Sequence, residues 1–151
     1  MFCLIMEIRN IQEKDLLECS ILLEEAYSAE PYNEKFEEGD VSQYIKSKFH
    51  DCEDHSFVAI EDEKVIGFVF SNISQWAGGP QAIMEEIVVD KKYRGKGIAQ
   101  KINQKIEEYF KSLNIFSAMG WTKKDSPAYK FHHKNGYHDA NDIVVLFKNF
   151  K

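Results

Sequence analysis

Between Ala82 and Leu113 the hydrophobic period of the chain changes once, from two to about 3.6. Ala82 to Val89 is a β-branched apolar run of strand type. A short basic turn follows, Asp90 to Lys96. From Gly97 the residues Ile98, Ala99, Ile102, Ile106, Tyr109, Phe110 and Leu113 form one apolar stripe. A buried strand that feeds through a short turn into a long amphipathic helix needs a sheet for the stripe to cover. That requirement removes all-helical, all-β and extended architectures.

The remainder of the chain fits the same class. Leu4 to Arg9 alternates as a first strand, which residues 1 to 5 would prolong. Leu16, Leu17, Ile21, Leu22, Ala26 and Tyr27 recur at helical spacing between Glu13 and Ala29, and Pro31 ends that helix. Val41, Ile45 and Phe49 place a second helix over Val41 to Phe49. Ser56–Ile60 and Val65–Ser71 read as a hairpin around Glu61–Lys64. Trp76 to Pro80 reads as a loop, and Ile115–Trp121 as a further strand. Ser126-Pro127 is a helix start and Asn135-Gly136 a helix stop. Ile143–Phe147 is expected as a closing strand. The predicted order, β-α-α-β-β-β-α-β-α-β over residues 1–151, describes a single mixed α/β domain.

Composition limits the partners. Nineteen Lys and Arg stand against 25 Asp and Glu, a net charge of −6. Such a surface repels phosphate backbones, which argues against nucleic acid as a partner, and it suits cationic molecules better. No apolar run approaches the roughly 20 residues that span a bilayer, so no membrane partner is expected. Met1 to Met6 is apolar but lacks a basic leader and is too short for a signal segment. Cys3, Cys19 and Cys52 form no disulfide framework and no CxxC pair, so reduced thiols in a cytoplasmic protein are expected. His50, Asp51, Cys52, Glu53, Asp54 and His55 match no zinc spacing. His132, His133 and His138 form no ligand set either, and no metal is expected.

In this acidic chain the cluster Lys91, Lys92, Arg94 and Lys96 stands out. It precedes a helix N-terminus, whose free amides and partial positive charge bind phosphate. Gly95 and Gly97 let an anion approach the backbone closely. The turn lacks both the Gly-Lys-Ser/Thr ending of a nucleotide P-loop and the three-glycine dinucleotide pattern. It reads as a pyrophosphate cradle.

Arg94-x-x-Gly97-x-Ala99 after a Val-rich strand resembles the acetyl-CoA motif of the GNAT N-acetyltransferase superfamily. Asp125-x-x-Ala128-x-x-x-His132-x-x-x-Gly136-Tyr137 resembles that family's Asn-x-x-Ala-x-x-x-Tyr-x-x-x-Gly-Phe segment. Together the resemblances span Met6 to Phe150. They imply a strongly twisted, mostly antiparallel sheet with about four helices. Its two central parallel strands, Ala82–Val89 and Ile115–Trp121, would splay. The backbone of Ile87, Val88 and Val89 would then pair with pantetheine. The amides of Arg94, Gly95, Lys96, Gly97, Ile98 and Ala99 would hold the pyrophosphate, with Asp125, Ala128, Tyr129 and His132 also on the cofactor side.

The implied reaction is direct acetyl transfer from acetyl-CoA to a primary amine. A carboxylate would take the amine proton. Glu85 and Glu86 are adjacent, and on a regular strand they point to opposite faces. Glu86 is favoured, because Glu86-Ile87-Val88-Val89 resembles the Glu-x-x-Val of related acetyltransferases. A bulge near Val88 would aim its N–H at the thioester carbonyl. The family's acid for the departing thiolate is a Tyr, replaced here by His132. Tyr129 lies one turn earlier, and the two candidates stand level.

Pro31-Tyr32-Asn33-Glu34 and Phe36 resemble the Pro-Trp-Asn-Glu-x-Trp segment of aminoglycoside 6′-N-acetyltransferase-like proteins, with Tyr and Phe in place of Trp. This makes Tyr32, Asn33, Glu34, Phe36 and Trp76 the expected contacts of a small cationic amine, aminoglycoside- or polyamine-like. A protein lysine or N-terminus, and a non-catalytic acyl-CoA-binding regulatory domain, are the alternatives. A monomer or homodimer is expected.

Overall fold

The structure is a computed structural model and describes residues 5–151. The expected strand segment at Leu4 and before lies outside the described residues. The chain divides into two compact units, Met1–Trp121 and Thr122–Lys151.

The first unit is a five-stranded sheet in the order β1-β2-β3-β4-β5. Its strands are β1 (Glu7–Asn10), β2 (Phe57–Glu61), β3 (Lys64–Trp76), β4 (Gly79–Val89) and β5 (Ala118–Gly120). Pairing is antiparallel from β1 to β4 and parallel between β4 and β5. Helices α1 (Leu16–Ser28), α2 (Asp40–Cys52) and α3 (Ile98–Ser112) cover the sheet.

The helices form where the apolar spacing places them. Leu16, Cys19, Leu22 and Leu23 of α1, with Val41, Ile45 and Cys52 of α2, are buried against Val58, Phe68, Phe70 and Val88 of the sheet. On α3 the buried stripe is Ile98, Ile102, Ile106 and Phe110. A Cβ placed on Gly67 of β3 would lie 2.9 Å from Ile102 Cδ1, so α3 packs on the sheet face opposite α1 and α2. Asp15 anchors the start of α1. Its carboxylate takes both Arg9 guanidinium nitrogens, at 2.8 and 2.9 Å, and the Gln12 N–H at 2.8 Å. Glu18 Oε2 accepts from Val65 N at 2.6 Å and ties α1 to the start of β3.

Strands β3 and β4 run longer than their alternation suggests. Trp76, expected in a loop, ends β3 and pairs with Gly79, leaving only Ala77 and Gly78 between the strands. The parallel pairing of β4 with β5 covers three positions, Ala82–Ala118 to Met84–Gly120, and stops there. Beyond Met84 the two strands part. The approach at that point is tight, because a Cβ on Gly120 would lie 3.0 Å from Met84 O.

The second unit contains α4 (Pro127–Lys134). Ser126 caps it by accepting from Tyr129 N at 3.1 Å, and Gly136 (φ +90°) follows its end. The closing strand expected at Ile143–Phe147 is absent: these residues form no strand, and their exposure runs from 62% at Ile143 to 93% at Phe147. An apolar run gains strand structure only against a neighbouring strand, and no strand of the described residues pairs with this one.

Candidate functional site

The site in the first unit is built along β4. Opposite β4, Phe70 pairs with Glu86 while the next residue, Ser71, pairs with Met84. Glu85 is therefore an extra residue, a β-bulge. The bulge breaks the alternation expected for Glu85 and Glu86. Both carboxylates reach the helix layer of α1 and α2 instead of opposite faces. Glu86 Oε1 accepts from Tyr44 Oη of α2 at 2.6 Å, and Oε2 accepts from Tyr27 Oη of α1 at 2.7 Å. Glu85 Oε2 meets Lys48 Nζ of α2 at 2.8 Å. Lys48 also lies 5.6 Å from the centre of the Tyr44 ring.

The electrostatics follow from this packing. Burial raises the Glu86 carboxyl above the usual carboxylate range, although the two phenols and Lys48 pull the other way. Burial, together with the Glu86 charge, also raises the Tyr27 and Tyr44 hydroxyls well above the usual phenol range. Both phenols therefore keep their protons and act as donors.

The bulge lies at Glu85, three residues before the position expected near Val88. Asp90 N donates to Ile66 O at 2.8 Å, which fixes the phase of the ladder. In an antiparallel pair, the N–H and C=O of alternate residues face the same neighbour. Glu86, Val88 and Asp90 therefore turn their backbone toward β3. The Val88 N–H is committed to the sheet, and its side chain is buried in the core. Ile87 and Val89 turn theirs to the side that β5 has left. Arg94 Nε reaches Val89 O there at 3.2 Å.

The cradle follows directly. A turn at Lys91–Tyr93 is closed by Asp90 Oδ1, which accepts Lys92 N at 2.8 Å. Gly95 (φ +74°) and Gly97 (φ +78°) adopt the left-handed conformation, and a Cβ at either would meet nothing within 4 Å. Gly97 caps α3 without a side chain, and the first turn of the helix carries no acidic residue. The amides of the first turn of α3, Ile98 and Ala99 among them, have no acceptor within the helix, and Arg94 and Lys96 precede them in the chain. Lys96 Nζ lies 5.1 Å over the Tyr93 ring. The chemistry of this cradle, free amides with two cations and no side chain filling it, fits a pyrophosphate.

The loop after α1 lies partly on this site. Tyr32 packs its ring 4.8 Å from that of Tyr27, the phenol on Glu86, and Glu34 N donates to Tyr27 O at 2.8 Å. Asn33 (φ +50°) and Glu34 are exposed. Phe36 turns inward and packs against the hydrophobic core. Trp76, 77% exposed, ends β3 six ladder positions from the Phe70–Glu86 pair, which is roughly 20 Å along the strand. The fold therefore sets Glu85, Glu86, Ile87 and Val89 along β4 and brings Tyr32 against Tyr27 beside them, but neither Phe36 nor Trp76 joins the cluster.

In the second unit, Tyr129 Oη donates to Asp139, 3.0 Å from each carboxylate oxygen, and His133 Nε2 lies 2.8 Å from Asp139 Oδ1. The Tyr129 hydroxyl is raised by that carboxylate. His132 is half-buried between the Phe131 and Tyr137 rings, at 5.4 and 5.1 Å. Burial, and then the neighbouring His133, hold its imidazole below its ordinary value, so it is mostly neutral at pH 7. Asp125 adopts a left-handed conformation (φ +63°), and Ala128 sits in the first turn of α4.

Three residues of the site carry no sequence motif: Tyr27, Tyr44 and Lys48. Tyr44 and Lys48 are four apart on α2 and flank the buried Ile45. A polar pair on the edge of an apolar stripe was the only available signal. Among the described residues, no His, Cys, Asp or Glu cluster could hold a metal ion, and no helix is long and apolar enough to cross a membrane.

The model of the Acetyltransferase (GNAT) family matches residues 14–137. No curated protein matches the chain in sequence. Solved structures share its fold at low identity. A possible acetyltransferase from Clostridium difficile 630 superposes with a TM-score of 0.82 at 16% identity, covering 97% of this chain and 99% of that one. The aminoglycoside N-acetyltransferase AAC(6')-Iy in complex with CoA gives 0.72 at 18%, covering 97% of each chain. A transcriptional regulator from Bacillus halodurans C-125 gives 0.75 at 19%, covering 95% of this chain and 100% of that one.

Proposed function

The chain belongs to the GNAT acetyltransferase family, and from that premise we propose that it is an acetyl-CoA-dependent N-acetyltransferase acting on a primary amine of a small cationic molecule, aminoglycoside- or polyamine-like. One observation carries the reading. A carboxylate with a raised pKa, Glu86, sits at the bulge where β4 loses its parallel partner, one residue before the first open backbone amide.

Bound acetyl-CoA would supply a thioester open to direct attack by the amine, with the thiol as leaving group. The chain's own residues divide the remaining work. Ile87 and Val89 offer backbone groups to the pantetheine arm, and the Gly95–Ala99 amides with Arg94 and Lys96 hold the phosphates. Glu86 takes the amine proton, directly or through a water; such base assistance is worth about 10²–10⁴-fold. Since the Val88 N–H faces β3, the Ile87 N–H takes over the proposed role of polarising the carbonyl. By the family resemblance, His132 and Tyr129 of the second unit are the candidate acids for the departing thiolate.

The acidic loop bearing Asn33 and Glu34 beside the Tyr27–Tyr32 pair supports a cationic acceptor. The structural relatives include an aminoglycoside acetyltransferase crystallised with sisomicin, which is consistent with that class. The test is thiol release from acetyl-CoA with aminoglycosides, polyamines, amino acids and a lysine peptide. Turnover with a polyamine or aminoglycoside, lost in Glu86→Gln, is expected. Tight acetyl-CoA binding with no turnover on any acceptor would overturn the enzyme reading in favour of a binding domain.

A further inference from the structure

We infer that Tyr27 and Tyr44 are positioning residues for Glu86: one phenol from each of two helices holds each carboxylate oxygen and fixes where the base points. The inference rests on the proposed role of Glu86 as base. It extends that role to two residues that no motif marks.

The geometry is specific. The contacts measure 2.7 Å from Tyr27 and 2.6 Å from Tyr44, in the short range of hydroxyl donors to an ionised carboxylate. An ionised carboxylate offers about four lone-pair sites. The phenols take one on each oxygen, which leaves one on each for an amine proton or a bridging water. Donors on both oxygens define the plane of the group as well as its direction. A single donor would leave the carboxylate free to rotate about its own bond. Since α1 and α2 each supply one phenol, the orientation also records how these helices sit over β4.

The same contacts set the ionisation of Glu86. The titratable groups facing it are Tyr27 from α1, Tyr44 and Lys48 from α2, and Glu85 from its own strand. Phe70, its register partner on β3, brings no charge. Burial favours the neutral acid, whereas both phenols favour the anion. Without the phenols, a buried carboxylate would hold its proton further into the working pH range.

The experiment uses Tyr27→Phe, Tyr44→Phe and the double variant, each checked by circular dichroism and thermal melting. Two readouts are taken: the acidic limb of the kcat/KM profile, and the Glu86 carboxyl titration followed by ¹³C NMR in the protein without substrate, assigned with Glu86→Gln. Each lost hydroxyl is expected to move both upward by roughly one pH unit, with kcat falling more than KM rises. The single variants decide the matter if the double variant does not fold. An unmoved NMR titration in folded single variants overturns the positioning role, whatever the activity. An NMR titration that moves while Glu86→Gln keeps full turnover supports the clamp and overturns Glu86 as the base. A Glu86→Gln variant that loses turnover, beside phenylalanine variants whose limb and titration both stay fixed, keeps the base and overturns the clamp.

Discussion

The C-terminal end of β4 and the bulge inside the strand carry the two halves of the site, and they are assembled in opposite ways. At the C-terminal end, the cradle is one continuous stretch, Val89 to Ala99, whose shape follows from its own glycines and the helix it opens. At the bulge, residues 27, 44, 48, 85 and 86 meet through hydrogen bonds spanning up to 59 positions of sequence. A continuous site is specified by local backbone chemistry. A discontinuous one depends on helix packing and on a single inserted residue. The first should therefore tolerate distant changes, whereas the second should respond to any change in how α1 and α2 sit on the sheet.

The largest expected effect lies at the bulge. Glu86→Gln should lower kcat by about 10²–10⁴-fold while leaving acetyl-CoA binding nearly intact, as read by isothermal titration beside the turnover assay. Equal losses of binding and turnover would show that the bulge and the cradle are not separable. The reciprocal change is smaller. Arg94→Ala removes a cation from the cradle and should raise the KM for acetyl-CoA about tenfold, in keeping with the worth of a charge-assisted hydrogen bond. It should leave the pH profile alone. A shifted profile would couple Arg94 to the base and break the comparison.

How much of each half was legible follows from the same contrast. The turn Arg94–Gly97, the stripe Ile98–Phe110 and the cap Ser126-Pro127 are local patterns, and they appear in the structure within a residue or so of where the sequence places them. The bulge had no such signal: nothing in Glu85-Glu86 announces that Ser71 will pair with Met84. Its absence from the expected pattern put Glu85 and Glu86 on opposite faces and displaced the bulge toward Val88. In the sequence Tyr27 is only one member of an apolar stripe, because a stripe does not reveal which hydroxyl will find a carboxylate. The run Ile143–Phe147 shows the opposite error, since strand-type residues with no partner strand remain irregular.

The fork between β4 and β5 offers a third, smaller test. A Cβ at Gly120 would sit 3.0 Å from the Met84 carbonyl and 3.4 Å from Met84 Cβ. The nearer atom is backbone, so the strand itself must shift. Gly120→Ala should destabilise the protein by about 1–3 kcal/mol, read as a lower urea midpoint at unchanged slope. If β5 only closes the sheet, the surviving folded protein should keep its KM for acetyl-CoA. If the point where the strands part sets the width available to pantetheine, KM should rise as well. That outcome would tie the cradle end of β4 to its bulge through the opening between the strands.

The smallest effect separates the two candidate acids. Burial lowers the His132 imidazole below its ordinary value of 6.5. The unfolded chain therefore takes up this proton first as the pH falls. The stability that neutral His132 contributes is complete above about pH 6.5, and it is lost as the pH falls toward the folded value. His132→Phe should flatten the stability curve between about pH 7.5 and 5.5, measured by urea unfolding at several pH values. An unchanged slope would mean that the ring is solvated and protonates as an ordinary histidine. A flattened slope has a consequence for catalysis. An imidazole that is neutral at pH 7 has no surplus proton for a thiolate, so turnover through His132 should fall as the pH rises above its lowered value. Tyr129 has the opposite limitation: it keeps its proton to high pH but already donates it to Asp139. A rate that declines through the acidic-to-neutral range in the wild type, but not in His132→Phe, assigns the proton to the histidine. A rate held flat to alkaline pH, and lost in Tyr129→Phe, assigns it to the phenol.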